Sequence, residues 1–283
     1  MLSGSEKRKR TIAIIGAGQV GSATAQVLAK SGKWKVIATR RHVDAIANLE
    51  RLGVRISADN IWAARQADVI ILAVKPTKAV SVLREIAEEI CGKLVISFVA
   101  AITLDVLKSV VPKAEIIRAM PNIALMVKES FTAYSTSNNV SQESVNLAEE
   151  ILAEFGEVAK VDESLMDAVT GLSGSGPAYA ATFIEALAYA GLKVGLSRQV
   201  ALRSAARTLL GTAKLVLDLD LHPSKVKEMV ITPGGTTIEG IYHIEESGIR
   251  SSVMKAVDAA SRRCKEITNS LKKAYKENKG NGT

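Results

Sequence analysis

Hydrophobic positions are arranged in two ways along this chain. In the first half, short β-branched runs are apolar at successive positions: TIAIIG (11–16), WKVIATR (34–40), DVIILAVKP (68–76), KLVISFVA (93–100) and AEIIRAMP (114–121), with helix-spaced stretches between them. A strand apolar on both faces has to be covered on both, the condition of a parallel sheet with helices on either side. FTAYST (131–136) and EVAKVD (157–162) are expected to extend the sheet. After about Val161 strand patterns stop, and 177–192, 197–219 and 251–275 carry helical periodicity, with Pro177 suited to a first turn and Gly191 to a C-terminal cap. The expected fold is α/β: a doubly wound domain over residues 1–161, then an all-helical domain over 162–283.

The helix from Pro177 to Gly191 is apolar almost all round, with Glu185 its only charge, so every side of it needs cover. A helical domain of roughly 110 residues is poorly able to supply that alone, which favours a homodimer formed through the helical domain. A central helix covered within one chain is the alternative.

Composition sharpens the picture in three places. The formal charge is +8, but residues 1–10 carry +3 and residues 270–283 another +3, leaving +2 for the rest; with aromatics at 4%, this suggests solvated ends rather than a nucleic-acid groove. Cys91 and Cys264 form no paired motif and read as two buried small side chains in a reducing compartment. The N-terminus lacks an apolar stretch after its basic residues and no run approaches the ~20 apolar residues of a membrane span, so a cytoplasmic protein without a membrane partner is expected. The polar end KENKGNGT (276–283) reads as disordered.

The first chemical motif is GAGQVG, Gly16, Ala17, Gly18, Gln19, Val20 and Gly21, placed between an expected strand and an expected helix. Gly16 permits the tight turn, Gly18 lets backbone approach a pyrophosphate and Gly21 brings helix and strand together, which makes this a Rossmann dinucleotide site. An Asp or Glu at the end of the second strand would favour NAD; this chain has Thr39, Arg40 and Arg41, a hydroxyl and two cations suited to a 2′-phosphate. NADPH is the expected cofactor, with NADH the alternative.

His42, His222 and His243 form no metal-spaced set, and no metal is expected. His222 and His243 read as ordinary polar or capping residues. TPGGTT (232–237) offers different chemistry. Thr236 and Glu239 have capping-box spacing, so a helix should begin at Thr237 after a turn at Gly234 and Gly235. Free amides at a helix N-terminus bind anions, and glycine lets a ligand come close, so this stretch suits a small carboxylate. GLSGSGPAY (171–179), which contains Ser175, could complete the same pocket or simply lead into the buried helix.

Taken together, GAGQVG, AVKP, RAMPN, GLSGSGPAY and TPGGTT resemble the pyrroline-5-carboxylate reductase family over nearly the whole chain. The resemblance implies reduction of a cyclic imine to L-proline, the last step of proline biosynthesis, by a homodimer whose dimers often join into rings such as decamers. It implies cofactor contacts at Gly16 to Gly21, Thr39, Arg40, Arg41 and Asn60, at Ala73, Val74, Lys75 and Pro76, at Ala100, and at Met120, Pro121 and Asn122. For the substrate it implies Ser175, Thr232, Gly234, Gly235, Thr236 and Thr237, with Thr237 as the catalytic hydroxyl facing the ring nitrogen. Relatives usually continue MPN with Thr-Pro, where this chain has Ile123 and Ala124. Two other readings stay open: a β-hydroxyacid dehydrogenase using Lys193 or Lys214, and a non-catalytic NADPH-binding regulator.

Overall fold

The computed structural model describes residues 8–280. Eight strands, β1 (Thr11–Ile15), β2 (Lys35–Thr39), β3 (Arg55–Ser57), β4 (Val69–Leu72), β5 (Leu94–Ser97), β6 (Glu115–Met120), β7 (Ser130–Thr136) and β8 (Gly156–Lys160), form one sheet in the order β3-β2-β1-β4-β5-β6-β7-β8. Every neighbouring pair is parallel except β6 and β7. The chain starts near the middle, winds outward to β3, then returns to β4 and winds the other way. That is the doubly wound arrangement, whose crevice lies beyond the carboxyl ends of β1 and β4.

Successive strand residues point to opposite faces. Ile12, Ile14, Val36, Ala38, Val69 and Ile71 therefore enter one core, and Ala13, Ile15, Ile37, Ile70 and Leu72 the other. Helices α1 (Gln19–Ser31), α2 (Asn60–Gln66), α3 (Pro76–Glu85), α4 (Leu104–Val110) and α5 (Gln142–Ala153) connect the strands, with 3₁₀ turns at Val43–Leu52 and Ile123–Val127. Each fully buried Ile or Leu is worth about 1.5–3 kcal/mol against about 1 kcal/mol net for a ladder hydrogen bond. The two cores, more than the ladder, hold the sheet. β3, absent from the sequence expectation, is a three-residue edge strand seated on β2 through the Ile37–Arg55 and Thr39–Ser57 pairs.

Helices follow: α6 (Met166–Val169), a π-helical turn (Thr170–Gly174), α7 (Gly176–Lys193), α8 (Arg198–Asp218), α9 (Pro223–Val230), α10 (Thr236–Glu246) and α11 (Ile249–Gly280). Two compact units result, one running to Ser175 and taking in the chain again from Ala259, the other spanning Gly176–Asp258. The pattern-based division at 161/162 differs because the end of α11 returns to the first unit. Leu271 and Tyr275 pack on its second core, and Ser109 Oγ donates to Tyr275 Oη at 2.9 Å.

Three local expectations are corrected. Gly191 lies inside α7, where a Cβ would come within 2.8 Å of Ala201 Cβ on α8; the left-handed residue ending the helix is Gly195, φ +94°. Cys91 is exposed, while Cys264 is buried. The polar end expected to be disordered continues as α11 to Gly280, and its last residues 281–283, like the N-terminal residues 1–7, lie outside the described residues. Among the described residues no helix is long and apolar enough to cross a membrane.

Candidate active site

At the carboxyl ends of β1, β2 and β4 the glycine loop opens into a cavity of about 620 Å³, lined by Gly16, Ala17, Gly18, Thr39, Arg40, Arg41, Asn60, Ala73, Val74 and Lys75 among others. Gly16 has φ +95°, and a Cβ there would strike Val74 Cγ1 at 2.4 Å. A Cβ on Gly18 would meet nothing within 4 Å, so backbone faces open space where a pyrophosphate needs access. Gly21 cannot carry a Cβ either, with Gly16 O only 2.5 Å from its position. α1 begins at Gln19 with no side-chain cap and no acid in its first turn, which leaves its positive end to a ligand. This cradle fits a dinucleotide.

Thr39 differs from the role its type suggested. It is 1% exposed. Its Oγ1 accepts the Gly16 N–H at 3.3 Å and donates to Asn60 Oδ1 at 2.7 Å, so the hydroxyl organises the loop and is not free for a phosphate. Arg40 and Arg41 are exposed, and Arg40 Nη1 donates to Ala17 O at 3.3 Å. The cavity also takes in Ala58, Lys78, Ser81, Val82 and Glu85, which sequence reading missed. Lys78, Ser81 or Val82, and Glu85 lie three or four residues apart along α3, so the start of that helix at Pro76 was the available signal.

The MPN and GLSG motifs meet elsewhere in the first unit. Met120 is buried in a small cluster that includes Met166 and Ala100. Asn122 Nδ2 donates to Ser173 O at 3.1 Å, and the Asn122 backbone N–H donates to Ser130 Oγ at 3.0 Å. The glycine-rich entrance is a π turn continuous with α6, not a loop. Gly171 allows it, since a Cβ there would lie 2.8 Å from Ser261 N on α11. Ser175 is committed internally: its N–H and its Oγ both donate to Thr170 O, at 3.0 and 3.2 Å.

TPGGTT belongs to the second unit. Pro233 and Gly234, φ +63°, are the central residues of a turn closed by Gly235 N–H to Thr232 O at 3.0 Å, the type II signature. α10 then starts at Thr236, with Gly235 as N-cap and no side-chain cap hydrogen bond. The capping box is therefore corrected. Thr236 sits inside the helix because Gly235 takes the cap position, where a Cβ would lie 2.3 Å from Thr232 Oγ1. With no side-chain cap hydrogen bond, the first-turn amides, orphaned in any helix, have the arrangement that suits an anion. Among the described residues no three His, Cys, Asp or Glu are grouped to hold a metal.

Residues 163–267 match the family described as pyrroline-5-carboxylate reductase dimerisation, and residues 11–101 match NADP oxidoreductase, coenzyme F420-dependent. A pyrroline-5-carboxylate reductase from Methanosarcina acetivorans is 42% identical over 266 residues, covering 90% of this chain and 97% of the relative. The chain belongs to the pyrroline-5-carboxylate reductase family. Solved reductases of this family share the fold: one from Coxiella burnetii (32% identical, TM-score 0.84, 92% of this chain and 99% of that one) and one from Plasmodium falciparum with NADP bound (30%, 0.83, 92% and 98%).

Two further features lie beside these motifs. At the position after MPN where the resemblance led to an expectation of Thr-Pro, the Ala124 N–H donates to Asn122 Oδ1 at 2.9 Å and caps the 3₁₀ turn Ile123–Val127; a proline at 124 would have no N–H to give. The second is Arg118 on β6, the first residue of RAMPN, which is 1% exposed; its apolar surroundings in the sequence gave no sign of its partners. Its guanidinium lies 3.1 Å from Glu163 and 3.6 Å from Asp167, and Asp167 also accepts from Thr268 Oγ1 and Cys264 Sγ. Burial, then Asp167, pushes the Cys264 thiol above its ordinary value. This network joins β6 to α6 and α11, next to the π turn. Arg118 is buried while both carboxylates are partly exposed, so removing either should cost less than the about 3–5 kcal/mol typical of a fully buried pair.

Proposed function

We propose that the protein reduces 1-pyrroline-5-carboxylate to L-proline with NADPH in the cytoplasm, as a homodimer built on the helical unit and joined into larger rings such as decamers. The observation that carries the substrate side is the uncapped N-terminus of α10 behind the Pro233–Gly234 turn. Its amides, from Gly234 to Thr237, hold the imine's carboxylate, and Thr237 offers its hydroxyl to the ring nitrogen. On the cofactor side Gly16, Gly18 and the start of α1 take the pyrophosphate, Arg40 and Arg41 the 2′-phosphate, and Met120, Pro121 and Asn122 the nicotinamide side. When bound, NADPH supplies the hydride. A protonated imine is already electrophilic, so the chain's contribution is chiefly to position the reactants, and no strong protein acid is needed.

The test is loss of reduced-nicotinamide absorbance when pyrroline-5-carboxylate is added to the purified protein with NADPH, and in parallel with NADH. Rapid oxidation favouring NADPH is expected. Turnover of a hydroxyacid instead would move the reading to a dehydrogenase relying on Lys193 or Lys214, and cofactor binding without turnover would leave a regulator.

A further inference from the structure

Glu85 closes α3 on the wall of the cofactor cavity, an exposed carboxylate among Arg40, Arg41, Lys75 and Lys78. Its oxygens accept from Asn60 Nδ2, at 3.3 and 3.4 Å. Asn60 Oδ1 accepts from Thr39 Oγ1, and Thr39 Oγ1 accepts from Gly16 N–H. Four residues, Gly16 just after β1, Thr39 on β2, Asn60 on α2 and Glu85 on α3, thus form one chain of hydrogen bonds ending at the first glycine of the nucleotide loop.

The direction of that chain follows from donor counting. The Gly16 N–H can only donate, so Thr39 receives it and must send its single proton elsewhere. In the buried setting of Thr39 the acceptor present is the Asn60 amide oxygen. If that amide turned over, its NH₂ would face the Thr39 oxygen, the Thr39 proton would lose its acceptor, and two acceptors, Asn60 oxygen and Glu85 carboxylate, would oppose each other. A carboxylate offers only acceptors and so admits one orientation of the amide. We propose that Glu85 is a positioning residue for the cofactor: it sets the Asn60 amide, which orients the Thr39 hydroxyl, which fixes Gly16 and with it the turn that receives the dinucleotide. The proposal rests on the NAD(P)H reading of this cavity. Because it acts on the loop common to both cofactors, it predicts equal effects on NADPH and NADH, unlike a contact with the 2′-phosphate.

The experiment is fluorescence titration of NADPH and of NADH on the full-length protein carrying Glu85→Leu, Glu85→Gln, Thr39→Val, or Thr39→Val with Glu85→Leu, with steady-state kinetics alongside. The leucine variant should weaken both cofactors by about fivefold, the size of one hydrogen bond, and raise the cofactor KM while leaving kcat near wild type. Gln, whose amide oxygen accepts the same bond, should stay within about twofold of wild type, and the double variant should bind no worse than Thr39→Val alone, as expected of members of one network. Wild-type affinity in the leucine variant overturns the relay. So do equal losses in Leu and Gln, which would assign the effect to charge, or losses at Thr39 and Glu85 that multiply. Failure of the wild-type protein itself to bind either nucleotide overturns instead the cofactor reading on which the relay depends. Glu85 is exposed, so its variants should fold, and circular dichroism checks this.

Discussion

Thr237 is the second residue of α10 and half-buried, with the uncapped first turn around it. Replacing it by alanine should lower kcat and raise the imine KM, with kcat/KM falling about tenfold or more, the size of one hydrogen bond to a charged group. NADPH affinity should be unchanged. Wild-type kinetics would remove Thr237 from the reaction. The two cysteines provide a separate check at the same scale. Cys91 is exposed, whereas Cys264 is buried with its thiol titration pushed up by burial and Asp167. A thiol reagent near neutral pH should modify Cys91 alone until the protein unfolds. Reaction of Cys264 in the native state would contradict the packing of α11. Residue types were legible at this scale, but their partners were not. Thr39 reads as a phosphate ligand from its place in the chain, and only its burial and contacts with Gly16 and Asn60 reveal an internal role.

Elements were most legible where apolar runs were continuous. β1, β2, β4, β5 and β6 fall within the expected runs because each fills two cores. β3, three residues long and at the edge, carried too little pattern. Caps show how local geometry competes with a motif: the Thr236–Glu239 spacing suggested one cap, and the close approach of Gly235 to Thr232 imposed another. α5 offers a pH test. Ser141 caps it, and Glu115 at the start of β6 accepts from the Ser141 N–H at 2.7 Å and from the Ser144 hydroxyl. Burial alone would raise the Glu115 pKa, but these hydrogen bonds outweigh it and hold it below the ordinary carboxylate value. Stability from Glu115 is then fully present above its unfolded-state pKa and is lost as pH falls through the lowered folded value. Glu115→Gln should cost about 1 kcal/mol near pH 7, comparable to a lost cap, and progressively less on acidification. Denaturant melts at several pH values measure this; a cost independent of pH would mean the charge does not matter.

For the whole molecule, the decisive feature is apolar surface on the second unit. None of the residues of α7 is buried, and Tyr189, Val200, Leu202, Leu217 and Tyr242 are each more than half exposed. So much apolar area is unusual on a monomer and marks an interface. Tyr189→Glu with Leu202→Glu should reduce the mass seen by light scattering to that of one chain, with cofactor binding by the first unit retained. A wild-type protein that is already a monomer would rule out the dimer.

The chain's own pattern determined the two kinds of architecture, the glycine loop and the Pro-Gly-Gly turn before α10. Those features depend on period, on φ angles open to glycine and on spacing within a few residues, all written locally. Tertiary structure alone decided which residues share a cavity, that α11 returns to the nucleotide-binding unit, that Arg118 pairs with Glu163 and Asp167, and that Glu85 reaches Asn60. These are contacts between residues 25 to more than 100 positions apart, set by how helices and strands pack, and no local pattern of residues encodes them.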